Sequence, residues 1–182
     1  LVDFPKKTME KLAIGDRIQV RAVGVGLELA DFPEVKAINV SPALLRGMPL
    51  AAGHGQGMLR VPVSHVIPAR IMGSGLGADN AHMGDYDIQL FDEPTVKEYG
   101  LDTLRFGDVV ALTDADCTYG RVWRQGAVTV GVVIHSACTT AGHGPGVTTL
   151  FTSRQGKIET PRDAGANIAR YLRIGRHRGR EG

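Results

Sequence analysis

The chain has 182 residues, 43% of them hydrophobic and 22% charged, with 24 glycines, 9 prolines and a formal net charge of +2. A fold of this length buries roughly 70% of the surface its unfolded chain exposes, so a core forms without staples; with no run of about 18 apolar residues and no signal-peptide pattern in these residues, neither a membrane span nor Sec export is expected. Cys117 and Cys138 belong to no Cys-x-x-Cys pair, which excludes a disulfide framework and a thioredoxin motif, argues against a structural zinc site, and fits a reduced, cytoplasmic setting. The glycines and prolines imply many turns and short elements. The expected class is mostly β: small barrel-like antiparallel subdomains with short helical connections and one C-terminal helix.

The opening "LVDF" reads as the middle of a strand, so an upstream part is expected to be missing. "TMEKLAIGDRIQVRAVG" predicts a helical turn, a Gly-Asp corner and an alternating strand from Arg17 to Val23. "TLRFGDVVALTDA" repeats this 92 residues later, with Leu12, Gly15 and Asp16 matching Leu104, Gly107 and Asp108. Glycine permits the corner, aspartate caps it, and β-branched residues begin the strand. "VKAINV" predicts a strand, and "SPALLRGM" a short helix with Ser41 at the N-cap, Pro42 at N1 and a stop at Gly47. Pro62 and Pro68 exclude a central ladder position for the extended run around His65. "DYDIQLF" predicts a strand and "EPTVKEYG" a helix with Pro94 at N1 and Gly100 as its stop. Four strands follow, "VVALTD", "TYGRVW", "AVTVGVVIH" and "GVTTLFTS", and Asp163 is expected to cap the helix "AGANIARYLRI". The expected organisation is a partial barrel-like unit over residues 1–40, a main β-rich domain over 41–172, and a basic tail over 173–182. From Arg170 on, five arginines stand against Glu181 alone, a net of +4.

"GSGLGA" at 73–78 fits the dinucleotide fingerprint by letters but lacks the strand before it and the helix after it that such a site needs. What this region offers instead is a 12-residue glycine-rich loop, Gly73 to Gly84, ending in His82, Asp85 and Asp87. In a strand, Asp85 and Asp87 point to one face, and two carboxylates with an imidazole are ligands for a divalent metal. Asp114 and Asp116 repeat the spacing at another strand end, although aspartates there also cap turns. His135 and His143 bracket "SACTTAG". His143 stands in "GHGPG", where flanking glycines leave its ring accessible; a turn has no need of an imidazole. His54, in the similar "GHGQG", has no carboxylate cluster nearby in sequence. At least one of Gly142, Gly144 and Gly146 should have a positive φ.

Three long strings, "VPVSHVIPARIMGSGLG", "GDYDIQLFDEPTVKEYGLDTLRFGDVVALTDADCTYGR" and "GVVIHSACTTAGHGPGVTTLFTS", resemble the prokaryotic family known as domain of unknown function 4438. The resemblance runs to about Tyr171. It implies a mostly β fold with barrel-like subdomains and a longer N-terminus, and carries no catalytic residue with it. The arginine-rich tail lies outside it.

The functional reading is a small-molecule enzyme performing metal-assisted hydrolysis in a site built by the 73–87 and 135–146 loops, which should lie together and face one cleft. The metal ligands are drawn from His82, Asp85, Asp87, His135 and His143; Asp114, Asp116 and His143 are the catalytic candidates; Gly73, Ser74, Gly75, Ser136 and Gly144 would contact the ligand. The expected cofactor is a divalent metal, and the expected partners are a small-molecule ligand and further copies of the chain in a homo-oligomer, without membrane or nucleic acid. Two other classes stay open: a non-catalytic ligand-binding or assembly module, and an RNA-contacting protein using its barrels and basic tail.

Overall fold

The computed structural model describes residues 4–19, 23–138 and 140–178. Among the described residues nine strands are formed: β1 (Lys36–Ala37), β2 (Ala51–Ala52), β3 (Leu59–Arg60), β4 (His65–Pro68), β5 (Tyr86–Asp87), β6 (Val109–Asp116), β7 (Val122–Val133), β8 (Gly146–Ser153) and β9 (Ile158–Glu159). Four short helices accompany them: α1 (Lys6–Met9), α2 (Pro42–Gly47), α3 (Glu93–Tyr99) and α4 (Ile168–Tyr171). The fold is mostly β, as expected. Strands β1-β8-β7-β6-β4 form one sheet, with β5 also on β8, and β2-β3-β9 form a second. Neither order closes on itself, so the barrel-like expectation is met only as two open sheets. Most pairs are antiparallel; β4 with β6 and β3 with β9 are parallel.

β6 is buried on both faces, which is why "VVAL" reads as an unbroken apolar run. Val109 and Ala111 pack with Leu59, Ile158, Leu44 and Met48 on one side. Val110 and Leu112 pack with Ile67, Tyr86, Val147 and Leu101 on the other. β8 carries two short partners on its outer edge: β1 at Thr152 and Phe151, and β5 at Val147 and Gly146. The main sheet thus takes its first strand from the segment before residue 41. Pro68 sits in β4, the last strand of its sheet, where its missing N–H breaks no ladder.

Local signals act mostly as expected. Ser41 accepts from the Leu44 N–H, and Asp92 caps α3, which Gly100 ends at φ 66°. The two Gly-Asp corners share one hydrogen bond: Ala13 N–H donates to Asp16 Oδ2 at 2.8 Å, and Arg105 N–H to Asp108 Oδ2 at 2.9 Å. Only the second leads into a described strand. Residues 17–19 form none, and residues 20–22 of the expected strand, like the "LVD" opening, lie outside the described residues. "TYGRVW" and "AVTVGVVIH" join into the single strand β7, which passes through Gly126 at φ 79°. Asn167 rather than Asp163 caps α4, because Asp163 is already bonded to the Gly165 N–H. The expected C-terminal helix shrinks to four residues. Among the described residues no helix is long and apolar enough to cross a membrane.

His65 is buried, with Nε2 3.0 Å from the Gly100 carbonyl and Nδ1 2.9 Å from Ser64 Oγ. Burial is the main cause that pushes its pKa below 6.5, and the Gly100 carbonyl opposes the shift. A lowered folded pKa means that the unfolded chain protonates first as pH falls. His65 should therefore cost stability as pH drops below about 6.5 towards its folded value. Urea midpoints at neutral and mildly acidic pH should show a smaller acid loss in His65→Gln than in the wild type. Equal losses would assign the acid sensitivity to other groups.

Candidate functional site

The Gly73–Gly84 and Gly142–Gly146 segments meet. Ser74 N–H donates to the Gly142 carbonyl at 2.6 Å, and Ile88 N–H to the Pro145 carbonyl at 2.9 Å. Asp87 bonds both Gly73 and Ser74 across the loop neck, where Gly73 N–H donates to the Asp87 carbonyl at 2.7 Å and Asp87 N–H donates to the Ser74 carbonyl at 2.9 Å. Glycine permits this approach. A Cβ on Gly73 would strike the Gly142 carbonyl, one on Gly75 the Asp85 carbonyl, and one on Gly144 the Ile88 carbonyl. Gly142 has φ 78°, the positive angle expected of this turn.

At this junction β5, β8 and the end of β7 bring four polar side chains together. His135 Nε2 lies 2.6 Å from Asp85 Oδ2 and 3.7 Å from Asp87 Oδ1. His143 Nδ1 lies 3.0 Å from Asp87 Oδ2. Asp87 is buried, 3% exposed, and its carboxylate faces two imidazoles. His135 Nδ1 lies 2.8 Å from the Ser136 carbonyl. A carbonyl can only accept, so the Nδ1 proton is fixed there and Nε2 is turned to the carboxylates. That carbonyl first, and Asp85 second among the favourable contacts, raise the His135 pKa, while burial opposes them. Hydrogen bonds from Thr140 hold the Cys138 thiol below its ordinary pKa, with His135 a smaller contribution in the same direction and Asp87 opposing. A Cβ on Gly146 would occupy the place where Asp85 Oδ2 and His135 Nε2 meet.

One ligand atom each from Asp85, Asp87 and His135 lie within 4.8 Å of one another. Two carboxylate oxygens and one imidazole nitrogen suit a divalent first-row ion, and three protein ligands leave positions open for water or substrate. The backbone carbonyl on the far ring nitrogen is the usual orienting contact of a ligating histidine. These residues fit a metal.

The family model "Domain of unknown function (DUF4438), C-terminal" matches residues 48–172, and its N-terminal companion matches residues 1–46. The chain belongs to the DUF4438 family. No match is found among curated proteins. The crystal structure of TM1086 is similar, at 42% identity with a TM-score of 0.72 over 80% of this chain. The DUF4438 chain described here spans half the length of that protein.

The other residues singled out in this DUF4438 chain lie elsewhere or have other work. His82 is exposed and outside the triad; its backbone N–H is held by Asn80 Oδ1. Asp114, at φ 58° in a bulge of β6, accepts from the Gly126 N–H. Asp116 is buried, accepts from Thr118 and pairs with Arg154 at 2.9 Å. Arg154 follows the far end of β8 from Gly146, roughly 25 Å away at strand spacing, so these two aspartates stand apart from the triad. The Gly73 N–H is used within the loop neck and the Ser74 N–H on the Gly142 carbonyl, and Ser136 contributes its carbonyl rather than its hydroxyl. His54 does have a carboxylate: Glu159, 105 residues on, lies 2.9 Å from its Nδ1. Sequence reasoning did not reach Gly146 as the residue that leaves room for the triad. The one available signal was its place as the first residue of a β-branched strand after a turn.

Proposed function

We propose that the DUF4438 chain binds one divalent metal ion through Asp85, Asp87 and His135, and uses it in the hydrolysis of a small molecule. One observation carries the reading: a nearly inaccessible carboxylate, Asp87, faces two histidines, and His135 Nε2 is turned to it by a carbonyl on the opposite nitrogen. A bound divalent ion lowers the pKa of its water and polarises a substrate carbonyl or phosphoryl oxygen. His143, held through Nδ1 by Asp87, presents its other nitrogen for proton transfer at the rim.

Metal analysis of purified protein and calorimetric titration with Zn2+ and Mn2+ test this. One ion per chain is expected, with affinity reduced about 100-fold or more in His135→Ala and Asp87→Asn, and less in His143→Ala, which removes an outer contact worth about tenfold. Absence of binding below millimolar metal, or equal affinity in all four proteins, would sink the proposal. A second reading, non-catalytic assembly into a homo-oligomer, draws on Val122 and Trp123, both exposed at the outer end of β7. A concentration-dependent sedimentation change abolished by Trp123→Ser, together with no metal binding, would favour it.

A further inference from the structure

We infer that Arg121 is a positioning residue for the metal cluster, setting Asp85 through the glycine-rich loop; this rests on the metal reading above. Arg121 is 2% exposed. Among the described residues it forms no ion pair, and its Nε is buried without a hydrogen-bond partner. A guanidinium removed from water without a counter-charge is costly, and an apolar side chain of similar volume would pack there at less cost. What the arginine side chain supplies in return is a hold on the descending branch of a loop whose ascending branch the backbone of residue 121 already holds.

On the ascending branch, Gly77 N–H donates to the Arg121 carbonyl at 2.7 Å and Arg121 N–H donates to the Ala78 carbonyl at 2.8 Å. On the descending branch, the guanidinium Nη2 donates to the Met83 carbonyl at 2.6 Å. The guanidinium passes 3.9 Å from where a Gly84 Cβ would stand. The next carbonyl, that of Gly84, is held by Thr148 Oγ1 at 3.2 Å. Asp85 follows directly. It precedes β5, so it has no ladder partner in that strand, whereas Asp87 is fixed from both sides by Gly73 and Ser74 and by its register with Gly146. Of the two carboxylates, Asp85 is placed by the far part of the loop, residues 76–84, whereas Asp87 is placed by the loop neck and β8. The approach of the two segments is close enough that a Cβ on Gly120 would strike the Ala78 carbonyl.

The test is a double-mutant cycle on Mn2+ and Zn2+ affinity. Arg121→Met should lower affinity about tenfold, in the range of lost outer-sphere contacts. Arg121→Lys should recover part of it, since an ammonium reaches one carbonyl. Adding Arg121→Met to Asp85→Asn should cost little more than Asp85→Asn alone, while the same change combined with Asp87→Asn should cost its full factor. Unchanged affinity in Arg121→Met, or a loss fully additive with Asp85→Asn, overturns the inference. Amide hydrogen exchange gives a readout that needs no metal. Arg121→Met should speed exchange across residues 76–85 and leave 146–153 unchanged; an unaltered loop overturns the clamp. A wild type that binds neither ion sinks the metal reading, and the exchange result still decides the clamp. If Arg121→Met does not fold, the Arg121→Lys chain carries the same measurements.

Discussion

Gly144→Ala is expected to be the most destabilising single substitution among the glycines of the 142–146 turn. Its φ is not positive, so the cost is not backbone strain. The new Cβ would instead overlap the Ile88 carbonyl, with the Gln89 backbone just behind it. Backbone in a paired segment cannot rotate aside as a side chain does, and overpacking of this kind costs about 1–3 kcal/mol, sometimes more. With roughly 2–4 °C lost per kcal/mol for a chain of this size, a melting temperature lower by about 5–10 °C is expected. Gly142→Ala is the comparison: nothing lies within 4 Å of its Cβ, but its φ is 78°, so its penalty is about 1–2 kcal/mol. A thermal scan in which Gly144→Ala melts with the wild type would mean that the two loops do not pack as described.

Gly146→Ala should separate site from fold. Here the atoms in the way are Asp85 Oδ2 and His135 Nε2, the ends of two side chains that are 29% and 43% exposed. They can swing out, so the stability loss should stay near 1 kcal/mol, the low end of overpacking costs. The ligand set is nevertheless broken, because the methyl group takes the space where Asp85 and His135 converge. Metal affinity should fall about 100-fold, at the upper end of what disturbed ligand orientation costs. Retained affinity in a folded Gly146→Ala protein would show that these two side chains are not ligands to one ion. Read together, the two alanine variants place neighbouring glycines in different roles, one admitting backbone and the other leaving room for chemistry.

Much of the local structure is legible in single residues. Ser41 announces a helix start, Gly100 a helix stop, and Gly107–Asp108 a corner, because each acts within four residues of itself. The same locality misleads at Gly126. A glycine after glutamine reads as a turn, yet β7 continues through it as one strand of the hairpin with β6, where the Asp114 carboxylate accepts its N–H. Asp163 was the natural cap by spacing, but it had already been taken by Gly165, and Asn167 does the work. The chemistry was legible by residue type and only partly by position. Strand alternation predicts Asp85 and Asp87 on one face; Asp85 falls just before β5, and His135 meets both carboxylates. Asp114 and Asp116 have the same spacing and none of the same surroundings.

The sequence by itself determined the β class, the two Gly-Asp corners, the short capped helices and the two glycine-rich segments that hold the cluster, because propensity, capping and alternation act over a few residues. Only the tertiary structure decided which polar residues meet. His135 reaches Asp85 across 50 positions and His143 reaches Asp87 across 56, through the pairing of β5 with β8. Likewise, only the folded chain puts Glu159 on His54 and buries Arg121 beneath the Met83 carbonyl. The physical reason is register: strand pairing is set by the burial of apolar faces along β6, β7 and β8, and polar side chains at the strand ends are carried to partners that no local pattern specifies.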